Sequence, residues 1–354
     1  MNRTVFGALA VLATSTLGYA SETEEWLGLD KELESLRSTM TASQGGEALG
    51  ISGFFRTSYT YDSDADLGGF NIDNVRLDFS ATVEDFEIYV QYEASGTPQA
   101  ATDLFAGVER VLDAYGAWNL SEEFKVTFGQ FRPAFLNFSK AQNEDTLFFA
   151  NRSFNEFFWA SRDAGVELSG NFESFRWWAG LSNGFDGTAD ELAFFGRVAF
   201  GTGEGIGTVQ GAMDASEDLA FQVGGGLFLD DSIEEATGED ALAWALDAQL
   251  AMDIFSAWGD IVYYDEGYSV LAGGGGDDTT WELAGTVMFV PERWEAGVRY
   301  EDQGDVFIPG LTALTFGINH YRAGHDAKFF LDLAIVDNDI QDTEQLTLGT
   351  NLGW

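Results

Sequence analysis

The sequence predicts an all-β protein, a 16-stranded antiparallel transmembrane β-barrel preceded by a short N-terminal periplasmic coiled-coil helix. Three observations predict it. The chain ends on Leu346-Thr-Leu348-Gly-Thr350-Asn-Leu352-Gly-Trp354, a period of two that finishes on an aromatic residue. Such alternation gives a strand one apolar and one polar or small face, as in a wall with lipid outside and water inside. Similar segments recur from residue 49 onward, and their number is even. The connections between them alternate short and long, the asymmetry of short periplasmic turns opposite longer external loops.

The amino terminus fits export. Arg3, the apolar run from Val5 to Leu17 and then Gly18-Tyr19-Ala20 read as a signal peptide over 1–20, cleaved before Ser21. The run is too short to span a bilayer as a helix, and no later stretch reaches the roughly 18 apolar residues required. Export alone would equally serve a soluble secreted protein, so a membrane location rests on the barrel. Forty-two glycines, 15% aromatic residues and no cysteine suit an exported β-rich chain.

Residues 21–48 come next. Trp26, Leu29, Leu33, Leu36 and Met40 follow a 3-4-3-4 spacing among charged residues, the stripe of a short coiled coil. So short a helix is marginal alone. Two readings fit: a trimerisation helix that self-associates in the periplasm, or a helix packed on the barrel mouth.

From residue 49 the period changes to two. The clearest hairpin runs from Asn74 to Val83, turns at Glu84-Asp85 and returns from Phe86 to Ala94. Strands are predicted near 51–61, 72–83, 86–95, 109–120, 124–132, 164–171, 175–184, 192–201, 219–229, 241–252, 255–265, 280–289, 293–302, 312–320, 328–337 and 344–354. Pro98, Pro133, Pro291 and Pro309 all fall between them, as a closed hydrogen-bond ladder demands. The segment 202–218 is a misfit, a long connection on the short-turn side.

One loop stands apart. Residues 133–163 carry Phe135, Phe138, Phe148, Phe149, Phe154, Phe157, Phe158 and Trp159 among Lys140, Arg152 and Arg162, and Arg132 stands at their entrance; these four basic residues are the candidate constriction residues. Eight aromatics do not sit comfortably in solvent. The loop either folds inward as a constriction, because a barrel this wide is not filled by its own wall, or packs over the rim or a neighbouring subunit. Arg56, Arg76, Lys125, Arg176, Arg197 and Arg299 take the inward parity and are candidate pore-lining residues, with Asp78, Glu87, Glu93 and Glu167. On the lipid side each cation would cost roughly 2–4 kcal/mol at mid-membrane. They form either a basic wall facing carboxylates, with a transverse field, or ion pairs that simply avoid lipid.

Phe128-Gly129-Gln130-Phe131-Arg132-Pro133-Ala134-Phe135, then Asn151-Arg152-Ser153, then Arg162-Asp163-Ala164-Gly165-Val166-Glu167-Leu168-Ser169-Gly170 resemble the phosphate-selective porin family, of the porin O and P type. Phe316-Gly317-Ile318-Asn319-His320-Tyr321 is similar to a late strand of that family, so the resemblance extends over 49–354. It implies a sixteen-stranded outer-membrane porin, usually trimeric, constricted by its third external loop. It also implies that the terminal Trp354 strand is read by the barrel-insertion machinery. Members that select phosphate carry a ladder of inward arginines, which is missing here: no strand has lumen arginines at i, i+2 and i+4.

The formal net charge is −42. Asp62, Asp64 and Asp66, Asp230 to Asp240, and Asp277-Asp278 fall in predicted external loops, where they would attract cations and repel anions. The expectation is a passive diffusion channel for ions and small hydrophilic solutes, weakly cation-preferring, in the bacterial outer membrane as a homotrimer in contact with lipopolysaccharide. The alternatives are an anion-selective porin, as in the resembling family, and a structural envelope-tethering barrel. No cofactor or metal site is expected; loop carboxylates binding Ca²⁺ or Mg²⁺ lack the regular spacing of a calcium loop. His320 and His325 are the only histidines and lie near a predicted periplasmic turn, which does not suit an enzyme. So acidic a chain repels nucleic acid.

Overall fold

The computed structural model describes residues 48–95, 111–185, 191–202, 209–233, 241–271, 277–306, 310–337 and 342–354. The expected signal peptide and Trp26, Leu29, Leu33, Leu36 and Met40 of the expected helix lie outside the described residues. The strands are β1 (Ala48–Asp62), β2 (Leu67–Val83), β3 (Phe86–Glu93), β4 (Val111–Asn119), β5 (Phe124–Phe131), β6 (Asp163–Phe172), β7 (Phe175–Ser182) and β8 (Ala193–Thr202). There follow β9 (Ala220–Asp230), β10 (Ala241–Met252), β11 (Phe255–Tyr264), β12 (Asp278–Val290), β13 (Trp294–Asp302), β14 (Thr312–Ala323), β15 (Ala327–Asp337) and β16 (Asp342–Gly353). They form a closed barrel in chain order, with β1 against β16.

Closure removes every sheet edge, which is the condition for strands to cross lipid. At the seam Arg56 stands opposite Asn351, Tyr59 opposite Leu348 and Tyr61 opposite Leu346. Gly53 and Trp354 exchange both backbone hydrogen bonds, at 3.2 and 3.0 Å. Along β16, Leu352 and Trp354 are exposed outward while Thr347 and Asn351 are buried inward.

The outer face is largely apolar. Leu168, Val198, Leu246, Leu283 and Phe316 are all well exposed, and such a continuous apolar surface suits lipid and not water. Phe86, Trp118, Phe124, Phe172, Phe175, Phe200, Phe255, Trp294, Phe329 and Trp354 ring the end where the short turns lie. Phe194, Trp244, Trp281 and Tyr300 mark the other end. These are the two aromatic girdles of an outer-membrane barrel. His320 belongs to the lower girdle, its ring 4.4 Å from that of Trp294.

Most strand limits agree with the sequence pattern to within a few residues. β2 differs, starting at Leu67, because Gly68-Gly69 hides the alternation while Phe70 still packs edge-on against Tyr59 at 5.0 Å. The acidic loop expected over 62–71 therefore shrinks to a tight turn, in which Asp62 accepts from the backbone N–H groups of Asp64 and Ala65.

The interior is filled from both ends. Residues 132–162, between β5 and β6, enter the barrel and carry two short helices, α1 (Asn137–Ala141) and α2 (Phe154–Phe158). Phe135 and Trp159 pack with Phe195, Phe228, Tyr264 and Tyr268, and a second cluster joins Phe138, Phe148 and Phe149 to Trp258. From the periplasmic side the described part of the β8–β9 turn also turns inward, burying Ala212 against Met288 and Tyr321. That inward course explains why 202–218 is too long for a periplasmic turn.

Candidate functional site

The site is the lumen where the inserted loop meets the inner wall. Loop placement begins with local geometry. Ser153 caps α2, accepting from the Glu156 N–H, while Glu156 reaches back to the Ser153 N–H in a capping box. The glycines on the facing wall make room for the loop. A Cβ on Gly297 would lie 2.6 Å from the Phe148 ring, one on Gly317 2.9 Å from it, and one on Gly226 2.3 Å from the Phe135 carbonyl oxygen. Wall and loop backbone therefore approach closer than any side chain allows.

Wall side chains then grip the loop through its backbone. Arg197 Nη1 donates to the Phe135 carbonyl at 2.9 Å, Asn319 to that of Phe148 at 2.8 Å, and Arg299 Nη1 to that of Asn151 at 2.9 Å. Lys328 donates to the Leu147 carbonyl and Arg56 to that of Ala150. In return Asp332 accepts from the Ala150 N–H at 2.5 Å and Glu301 from the Phe154 N–H at 2.7 Å. Asn155 of α2 donates to Asp260 at 2.7 Å. These contacts fasten the loop to β1, β8, β11, β13, β14 and β15.

The placement of the expected pore-lining residues follows. Arg56, Arg76, Arg197 and Arg299 point inward but are only 2–4% exposed, lying beneath the loop instead of facing open water. Arg76 pairs with Glu93 at 2.9 Å and also with Glu144, Arg197 pairs with Asp247 at 2.5 Å, and Arg299 pairs with Glu301 at 2.9 Å. Their first task is to hold the loop and neutralise carboxylates; a bare basic wall is not what these contacts make. Arg176 donates to Gln222, and Asp78 accepts from Tyr89 and Gln91, each at 2.8 Å. Lys125 and Glu87 form a half-exposed pair at 3.4 Å near the periplasmic end, worth little in energy.

Three arginines of the loop region, Arg132, Arg152 and Arg162, gather with Arg76 of β2 around one carboxylate that the sequence reading did not single out. Glu144, 4% exposed, pairs with Arg76 and with Arg152 at 3.0 Å. Burial alone would raise the pKa of Glu144. The guanidiniums of Arg76, Arg152, Arg132 and Arg162 overcome that effect and hold it well below the ordinary value. Arg132 donates to the carbonyls of Ser139 and Gln142, at 3.3 and 2.5 Å, closing off the end of α1. Lys140 pairs with Glu167 at 2.8 Å and Arg162 with Asp113 at 3.3 Å.

Although Glu144, Arg162 and Lys140 also tie the loop to Arg76 of β2, Asp113 of β4 and Glu167 of β6, free space remains on that side. A cavity of about 270 Å³ lies between the loop and β3 to β7. It is lined by Tyr89, Asp113, Tyr115, Lys125, Thr127, Glu167, Ser169 and Trp178 from the wall, and by Arg132, Lys140 and Asn143 from the loop side. Lys125, Glu167, Arg132 and Lys140 are the residues from the sequence reading that reach it. Tyr89, Asp113, Tyr115 and Trp178 were missed, although the inward parity of β3, β4 and β7 marked all four. Asn143 gave no signal of that kind.

This geometry matches known proteins. A family model described as phosphate-selective porin O and P matches residues 48–238. The match stops in the connection after β9, short of the resemblance to the chain end that the Phe316 to Tyr321 strand suggested. A search of curated proteins finds no match. Among solved structures, OprB of Pseudomonas putida is similar at 10% identity with a TM-score of 0.59, covering 93% of this chain and 97% of its own. The trimer form of OmpT, an outer membrane protein of Vibrio cholerae, gives 14% and 0.57, covering 88% and 100%. The outer membrane channel DcaP of Acinetobacter baumannii gives 13% and 0.56, covering 88% and 99%. At such identities these likenesses establish the fold, and the family match over more than half of the chain adds descent. A sixteen-stranded barrel with its third external loop folded into the lumen, matched by that family model, belongs to the phosphate-selective porin O and P family, whose members are channels of the outer membrane.

Proposed function

We propose that this chain forms a passive diffusion porin in which small hydrophilic solutes and ions pass along the β3–β7 wall, with a weak preference for cations. The observation that carries the reading is the cavity of about 270 Å³ that stays open between the loop and the β3–β7 wall, although ion pairs bridge from the loop to β4 and β6. A cavity of that size suits small hydrated solutes and excludes folded polymers. The cation preference is supported by 59 acidic against 17 basic residues in the whole chain. A field of that sign at the mouth concentrates cations and repels anions.

A second reading, anion passage, is favoured by Lys125, Arg132 and Lys140 at the cavity and by the family's description. Lys125 and Lys140 are, however, matched by Glu87 and Glu167. A homotrimer is the proposed assembly, in line with the trimer form of the similar OmpT, with residues 21–48 as a trimerisation helix. Reversal potentials across planar bilayers in a salt gradient test the selectivity: the expected sign is that of cation flow. A dominant anion current would overturn the preference while leaving the porin reading intact.

A further inference from the structure

We propose that the inward part of the β8–β9 turn is an internal strut: through Gln210 it holds the constriction loop from the periplasmic side and keeps permeation on the β3–β7 wall. The inference rests on the porin reading. It starts from the misfit connection 202–218, whose described residues do not lie flat beneath the barrel. Gln210 is fully buried and uses both ends of its amide on the external loop. Its Oε1 accepts from the Phe148 N–H at 3.2 Å, and its Nε2 donates to Glu156 Oε1 at 2.6 Å. Glu156, itself 1% exposed, is the capping-box residue of α2. One side chain from a periplasmic turn therefore meets both the Phe148 seat and the start of the second loop helix.

The strut is itself anchored. Gln249 of β10 donates to the Val209 carbonyl at 2.9 Å, and the Ala212 N–H donates to Glu295 of β13 at 2.6 Å. Tyr321 of β14 donates to the other oxygen of Glu295 at 2.8 Å. Gly211, between the two anchors, has φ +95°, and a Cβ there would lie 2.8 Å from Glu295. A flexible tether would need neither the left-handed residue nor the buried amide. The arrangement fills the lumen on the β10 and β13–β14 side below the loop, opposite the cavity.

Removing one partner of a buried hydrogen bond leaves the other unsatisfied, and losing it should raise the population of a loosened loop by about tenfold. The test is single-channel recording of the full chain in planar bilayers. Channel formation by the wild type is the control: its failure would refute the porin reading, whatever the variants do. Given wild-type channels, Gln210→Ala and Gln210→Glu should both show added open-state noise and larger conductance substates. Gln210→Glu keeps the size and the acceptor for Phe148 but sets a carboxylate against Glu156, so it serves if Gln210→Ala does not fold. Glu156→Ala, which also removes the cap of α2, should show the same substates, and the combined effect with Gln210→Ala should be less than the sum of the two. Traces of the folded Gln210 variants indistinguishable from wild type, or fully additive effects with Glu156→Ala, would overturn the strut.

Discussion

Removing Glu144 should release the constriction loop while leaving the barrel standing. Its carboxylate is the shared partner of Arg76 on β2 and Arg152 in the loop, and all three side chains are at most 5% exposed. Glu144→Gln keeps the volume but leaves buried guanidinium charge without its counter-ion. Arg76 retains Glu93 at 2.9 Å, whereas among the described residues Arg152 retains the carbonyls of Phe138 and Gln142. Breaking a buried pair from one side costs about 3–5 kcal/mol. That cost falls on loop docking, because no strand pairing of the barrel runs through Glu144. Single-channel recording should show noisier, larger openings at neutral pH, while the heat-resistant barrel band on a gel persists. The pH dependence has a definite sign. A carboxyl whose folded pKa lies below its ordinary 4.5 stabilises docking above that value and loses the contribution as pH falls through the lowered one. Wild-type openings should therefore stay quiet at pH 4.5 and loosen only in stronger acid, whereas Glu144→Gln is loose throughout. A variant whose openings match the wild type at neutral pH would refute the claim that this triad holds the loop.

Two further outcomes follow from the wall. Gly297→Val should disturb the loop from the opposite side, since even a Cβ lies 2.6 Å from the Phe148 ring and 2.8 Å from Thr286; overpacking of that kind costs about 1–3 kcal/mol, read as altered conductance with normal barrel yield. Deleting Trp354 removes a girdle ring and both closing backbone bonds to Gly53, so the yield of assembled barrel in outer-membrane fractions should fall far more than the conductance of the molecules that do assemble; unchanged yield would contradict this.

The barrel was legible because lipid imposes a simple rule: every second residue must be apolar along every strand. The terminal Leu346 to Trp354 run obeys it, and so does the hairpin around Glu84-Asp85. The rule fails where glycine is neutral to both faces, as at Gly68-Gly69, and there the start of β2 was misplaced. The inward course of the loop was legible from its aromatics, since rings such as Phe135 and Phe148 need an apolar seat. What holds it was not. Arg56, Arg197 and Arg299 spend their donors on the backbone carbonyls of Ala150, Phe135 and Asn151, and a carbonyl carries no sequence signal. Glu144 looked like one acid among many until the fold brought Arg76 to it from 68 residues away. Gln210 had only the anomalous length of its connection to announce it.

The same contacts bear on where selectivity arises. Within the lumen, most cations are matched by carboxylates: Arg76 by Glu93 and Glu144, Lys125 by Glu87, Lys140 by Glu167, Arg162 by Asp113, Arg197 by Asp247 and Arg299 by Glu301, whereas Arg56, Arg132, Arg176 and Lys328 donate to carbonyl or amide oxygens. Paired charges at these distances leave mostly dipolar fields, which fall off faster than that of a bare ring of arginines. The excess negative charge of the chain must then act chiefly from the exposed acidic turns, such as Asp62, Asp64 and Asp66. Fields from exposed charges are screened over about 10 Å at 0.1 M salt and over about 3 Å at 1 M. A preference set at the mouth should therefore decay towards the bulk mobility ratio as salt rises, in the same reversal-potential experiment. A preference that held unchanged into molar salt would place the selecting charge inside the constriction, and the balance of pairs there would have to be read again.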